Sequence, residues 1–177
     1  MKNVVSIGRF QVTSGKLYVG DPCYAKHRDS DYLTILTSVE NGWWEAKVAK
    51  VNFGTWGVRN GVLMCSCINY DPDVKVHQWM TENEVIGVDS GSVCVFDKKH
   101  VIGRPEAKHE AWYDMVGEAH LDAKESAGVM SHGAASSSGI GDGMYDLKYG
   151  RNIFGKVVAV RVNFARHYGE GKQTKGW

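Results

Sequence analysis

The feature that most restricts what this chain can fold into is a repeated alternation of apolar and polar residues, in short runs bounded by glycine, asparagine or aspartate. Trp44, Ala46 and Val48 alternate with Trp43, Glu45 and Lys47, while Val158, Val160, Val162 and Phe164 are interleaved with Arg161 and Asn163. Side chains two residues apart share one face of a strand, so this period marks strands with one buried and one solvated face. Val4–Ile7, Leu17–Val19, Leu33–Val39, Val62–Ile68, Val85–Val88, Val93–Phe96 and Met144–Tyr149 read as further strands, and Lys156–Phe164 as the last. Turn signals stand at Thr13-Ser14-Gly15 and around Asp89-Ser90-Gly91-Ser92, and Asn41-Gly42 and Asn60-Gly61 carry the two-residue hairpin signal.

One segment changes period. After Pro105, which is well suited to open a helix, Ala107, Ala111, Met115, Val116 and Ala119 recur at helical spacing. Gly117 weakens the middle of that helix by about 1 kcal/mol relative to alanine. Glu106, Glu110, Asp114, Glu118 and Asp122 follow at intervals of four and form an acidic ridge on the opposite side. Residues 126–143, rich in serine and glycine, read as loop. The expected fold is α+β and mostly antiparallel: a curled sheet, as sandwich or open barrel, with one main helix packed on it. A chain of 177 residues has room for one well-buried core and is short for two, so a single domain over 1–177 is expected, with a loose polar tail from about residue 168.

Charge and composition exclude several classes of function. Twenty-one Lys and Arg against 20 Asp and Glu leave a formal charge of +1, without the basic excess of a general nucleic-acid binder. No run approaches the ~18 apolar residues of a membrane span. The start, Met1-Lys-Asn-Val-Val5, lacks the apolar stretch of a secretory leader, so the cytoplasm is the expected compartment, that of the host if the gene is phage-borne. Cys23, Cys65, Cys67 and Cys94 then read as reduced thiols. Cys65-Ser-Cys67 has no second pair at zinc-finger spacing, so no metal site is assigned, and Cys23 reads as packing rather than as a nucleophile.

The candidate working surface is the segment Ser136-Ser-Ser-Gly-Ile-Gly-Asp-Gly-Met-Tyr145. Glycines allow positive φ and close approach of backbone N–H groups to an anion, and serine hydroxyls add donors. The pattern is neither a dinucleotide-binding fingerprint nor a P-loop, because no lysine follows the last glycine and a strand follows where a helix is required. Three aspartates beside turn glycines, Asp21, Asp89 and Asp142, form a second constellation at predicted strand ends. Together they would hold a divalent cation or serve as acid and base, whereas singly they are ordinary turn residues.

The string Val12-Thr-Ser-Gly-Lys-Leu-Tyr-Val-Gly-Asp-Pro-Cys-Tyr24, with Gly87-Val-Asp-Ser-Gly91, Ser138-Gly-Ile-Gly-Asp-Gly-Met-Tyr145 and Gly155-Lys-Val-Val-Ala-Val-Arg-Val-Asn-Phe164, resembles the bacterial and phage family called domain of unknown function 4241. The resemblance runs in order through most of the chain and implies no particular chemistry. It draws attention to Asp21, Asp89, Gly91, Gly139, Gly141, Asp142, Gly143 and Tyr145. The expected function is binding, and in a phage setting sequestration, of a nucleotide or other anionic metabolite. Asp21, Asp89, Ser90, Ser137, Ser138, Gly139, Gly141, Asp142, Gly143 and Tyr145 would be the contacts. In that reading the loop supplies backbone donors, Asp89 and Asp142 hold ribose or amine groups, and Tyr145 covers a base. No cofactor is expected. A metal-assisted phosphate hydrolase built on Asp21, Asp89 and Asp142 is the alternative and would need a divalent metal. A third reading is a protein-interaction module, possibly homo-oligomeric, that works through the acidic helix.

Overall fold

The computed structural model of the chain describes residues 3–27, 34–69, 76–80 and 85–165. The polar tail expected from residue 168 lies outside them. Among these residues, twelve strands and one α-helix, with three short 3-10 turns, follow in order. These are β1 (Val4–Val12), β2 (Lys16–Gly20), β3 (Thr34–Thr37), β4 (Gly42–Asn52), β5 (Val58–Cys67), β6 (Gln78–Met80), β7 (Val85–Val88) and β8 (Ser92–Asp97), then α1 (Glu106–Leu121), and finally β9 (Ala127–Met130), β10 (Gly133–Ser137), β11 (Gly143–Arg151) and β12 (Val157–Asn163). The 3-10 turns cover Pro22–Lys26, Gly54–Trp56 and Lys98–His100.

The strands form two sheets, paired antiparallel throughout. The first runs β1-β4-β5-β12-β11-β6, with β7 also paired to β11, and the second runs β3-β2-β8-β10-β9. Neither closes into a barrel. The fold is α+β with curled sheets, and the sandwich form of the expectation is the one adopted. No helix among the described residues is long and apolar enough to cross a membrane.

Period-two alternation explains how the layers stack. In the second sheet Leu17, Val19, Val93, Val95 and Ala134 join the core between the sheets, together with Trp44, Ala46, Val48 and Val160 from the first. Their neighbours Tyr18, Cys94, Phe96 and Ala135 point the other way, onto Trp112 and Val116 of α1. The second sheet is therefore covered on both faces, and every residue of β8 is buried. Fully burying one such side chain contributes roughly 1.5–3 kcal/mol, so a sheet packed on both faces is the stable centre of the molecule.

Several local expectations are corrected. Asn60-Gly61 is not a turn: it lies inside β5, where a register shift falls between Ala49 and Lys50 on the partner strand. The Asn60 amide is buried and donates to Glu125 O, Ser126 O and Ser136 Oγ at 2.9–3.1 Å, and a Cβ on Gly61 would lie 2.2 Å from Val51. Tertiary packing thus outweighs the dipeptide's turn preference. Asn41-Gly42 joins strands of different sheets instead of a hairpin, since β3 pairs with β2 and β4 with β1. Residues 126–143 hold two strands, β9 and β10, where a loop was expected. Small alanine and glycine side chains there let the sheet lie close beneath α1.

The helix starts where Pro105 predicted, but its inner face is His109, Trp112, Val116 and His120, while Ala107, Ala111 and Met115 are exposed. Trp112 meets Phe96 edge-on at 5.4 Å, a large apolar burial that small alanines do not match. The acidic ridge is solvated, as its spacing implied. Arg161, expected to face outward, is buried beneath Trp79, with the guanidinium 4.1 Å from the ring centre.

Candidate functional site

The residues singled out in the sequence gather at one end of the second sheet, where β8 begins and β10 ends. Ser92 and Ser137 are partners there, and the ladder continues with Ser138 N donating to Gly91 O at 2.9 Å. Beyond it the glycine-serine loop closes on itself. Ser138 Oγ donates to Gly141 O at 2.6 Å, and the Tyr145 phenol lies 2.6 Å from the same carbonyl and 2.9 Å from Ser138 O. Gly139 adopts φ +69°, and a Cβ there would press on Phe164 and on Asn60 O at 3.1–3.2 Å. The glycine is needed for a tight fit against the first sheet. The ring of Tyr145 is buried and meets Phe164 edge-on at 5.3 Å, so it serves as a pillar of the loop and is not placed to cover a base.

Asp21 occupies a similar structural role. Its carboxylate is fully buried and accepts from Cys23 N, Asp89 N, Ser90 N and Ser90 Oγ at 2.6–2.8 Å. Four donors fill the lone pairs that a carboxylate offers. They pin the 3-10 turn after β2 to the β7–β8 turn. Asp89 is exposed and accepts from the Tyr24 hydroxyl, a bond that holds that phenol protonated well above its ordinary range. Asp142 is exposed on the neighbouring loop. The loops themselves touch, since a Cβ on Gly91 would sit 3.9 Å from Gly141 Cα. The three carboxylates nevertheless do not form a metal-ligating group among the described residues. Cys23 is no activated nucleophile, because burial and the Asp21 carboxylate push its thiol far up. Cys65 and Cys67 lie in the inter-sheet core.

Two other clusters carry more chemical potential, and sequence reasoning missed both. The first is a cavity of about 280 Å³ on the outer face of the second sheet, beside the start of α1. Lys26 and His27 line it from the end of the first 3-10 turn, Lys98 from the turn after β8, and Arg104 from the approach to the helix, with Tyr18, Ile35 and Val101 among the other walls. Gly103 makes the close packing possible, since a Cβ there would be 2.3 Å from Ala25 O. Arg104 Nε reaches Lys26 O at 3.4 Å. Lys26 is 3.7 Å from Glu106, whereas Lys98 and Arg104 have no ion-pair partner among the described residues. Among the described residues no acidic side chain lines the cavity. These cations are up to 78 residues apart in sequence, so no motif announces them.

The second cluster lies at the opposite end of β8 and β10, where Asp97 N donates to His132 O at 2.8 Å. Asp97 is fully buried and accepts from Thr13 N at 2.6 Å, Thr13 Oγ1 at 2.8 Å, Lys99 N at 3.1 Å and the Ser14 hydroxyl. Burial alone would raise its pKa, but these bonds outweigh it and hold the carboxyl below the usual range. His100 and His132 lie face to face, 3.5 Å between ring centres and 2° from parallel. Burial and then the neighbouring His132 lower the pKa of His100. Comparison with known proteins brings no match: no family model, no curated protein and no solved structure aligns with the chain.

Proposed function

We propose that the protein binds a small anionic metabolite carrying a phosphate or comparable group in the cavity between the Pro22–Lys26 turn, Lys98 and Arg104. The observation that supports this reading is the convergence of Lys26, Lys98 and Arg104, with His27, on one concave site that no carboxylate lines among the described residues. Arginine offers a planar fork that matches phosphate, while each lysine acts as a point charge. Ile35 and Val101 give the anion's organic part an apolar wall. A volume of about 280 Å³ is at the low end for ligand pockets, which favours a monophosphorylated compound over a dinucleotide. The Tyr18 hydroxyl donates to Asp21 O, and burial holds its proton firmly, so Tyr18 serves as a wall of the cavity and not as a base.

The test is calorimetry and thermal shift with inorganic phosphate, nucleoside monophosphates and sugar phosphates. A ligand present at about 100 times its Kd raises stability by about 2.7 kcal/mol. Lys98→Ala and Arg104→Ala should each weaken binding about tenfold or more without unfolding the chain, and added salt should weaken it further. Unchanged affinity in both variants, or no anion that binds, would sink the reading.

A further inference from the structure

The cluster at the far end of β8 is independent of the anion cavity, and we propose that Asp97, His100 and His132 form a binding site for a divalent transition metal of the Zn²⁺ class. One ligand atom from each lies within 4.8 Å of those of the other two. Metal–ligand distances of about 2.0–2.2 Å close such a gap once the side chains rotate. Two imidazoles and one carboxylate suit borderline cations such as Zn²⁺, Ni²⁺ and Fe²⁺, whereas Mg²⁺ and Ca²⁺ select oxygen.

Two further observations point the same way. His132 Nδ1 faces Gln11 O at 3.3 Å; a carbonyl only accepts, so this nitrogen carries the proton and Nε2 keeps its lone pair for a metal. A ligating histidine is usually held by such an outer bond. Asp97 is oriented by Thr13 and by Lys99 N, and its fourth donor, the Ser14 hydroxyl, has a second acceptor in Lys16 O at 3.2 Å. Turning Ser14 toward that carbonyl frees a carboxylate lone pair without leaving a donor unsatisfied.

The ring stack itself sets a condition on the site. Aromatic pairs prefer offset or edge-to-face arrangements with centroids about 4.5–7 Å apart. Two parallel rings at 3.5 Å are not placed by mutual attraction. They are held by the backbone: His132 sits in the β9–β10 turn, tied to Asp97 N, and His100 ends the 3-10 turn that Asp97 caps. The in-plane lone pairs of parallel rings do not converge, so the imidazoles must turn to share a cation, and three protein ligands leave open positions on it.

The experiment uses the full chain, freed of metal by a chelator and titrated with Co²⁺, followed by Zn²⁺ competition. One equivalent of Co²⁺ should bind with visible d–d bands of nitrogen and oxygen coordination and no thiolate charge-transfer band, and Zn²⁺ should displace it. His100→Ala and His132→Ala should each weaken binding about tenfold or more, with far-UV circular dichroism unchanged, while Cys23→Ser binds like the parent chain. Asp97→Asn is a poorer probe, because Asp97 also holds the β1–β2 turn. The proposal is overturned if no Co²⁺ binds, if a thiolate band appears, or if both folded histidine variants bind as tightly as the parent.

Discussion

Asp21 illustrates how a residue that looks like a ligand contact becomes part of the frame. Its carboxylate accepts from four donors at the β7–β8 turn and the Pro22–Lys26 turn. Hydrogen bonds to a charged group contribute about 1.5–3 kcal/mol each, and orphaned donors add a penalty. Asp21→Ala should therefore cost about 3 kcal/mol or more in urea unfolding, and a loss under about 1 kcal/mol would contradict this role. His120 makes the corresponding case for pH. It is fully buried, its Nδ1 donates to Val116 O at 2.8 Å, and its Nε2 accepts from Ser92 Oγ at 2.9 Å, so the ring is neutral. Burial lowers its pKa, outweighing the opposing pull of the Val116 carbonyl. The unfolded chain takes up this proton near the ordinary value of about 6.5 and the folded chain only at lower pH. The contribution is thus complete above that value and lost as pH falls toward the folded pKa. The melting temperature should drop on acidification below about pH 6.5, and His120→Gln should flatten that slope. His100 shifts in the same direction, so the informative quantity is the difference between the two slopes. Equal slopes would rule the account out.

At the scale of elements, two glycines on facing surfaces have opposite roles. Gly117 lies within α1, and a Cβ there would be 3.7 Å from Leu121, an ordinary contact. Gly117→Ala should stabilise by about 0.5–1 kcal/mol by removing unfolded-chain freedom. Gly128 of β9 instead touches the helix backbone, and a Cβ would lie 1.9 Å from Ala119 O. Gly128→Ala must push α1 off the sheet and should cost at least about 1–3 kcal/mol. Thermal melts of the two variants, read side by side, check both signs. Element positions were legible where alternation was strong, as in β4 and β12, and where a proline marked the helix start. They were not legible in 126–143, because β9 and β10 are short and, apart from Val129 and Met130, built from alanine, glycine and serine with little strand preference of their own. Those segments pair because α1 covers one face and the inter-sheet core the other.

At the scale of the whole molecule, the second sheet passes its side chains alternately to two cores, and its two ends become different places. The end at Ser92 and Ser137 carries the residues that glycine-rich sequence made conspicuous, and their polar groups are largely consumed in closing loops. The end at Asp97 brings together a carboxylate and two histidines that no spacing connects. On the outer face, cations from three separate segments line one cavity. By itself, the sequence determined the antiparallel α+β class, the helix start, the solvated acidic ridge and the importance of the turn glycines and aspartates. Each of these depends on neighbours within a few residues, through strand period, proline geometry or backbone freedom. Only the tertiary structure decided that Asp21 and Tyr145 brace the fold, that the helix turns His109, Trp112, Val116 and His120 inward, that Lys98 and Arg104 line one cavity, and that Asp97, His100 and His132 come together. Those outcomes depend on distances between residues far apart in the chain, which folding sets and local pattern does not encode.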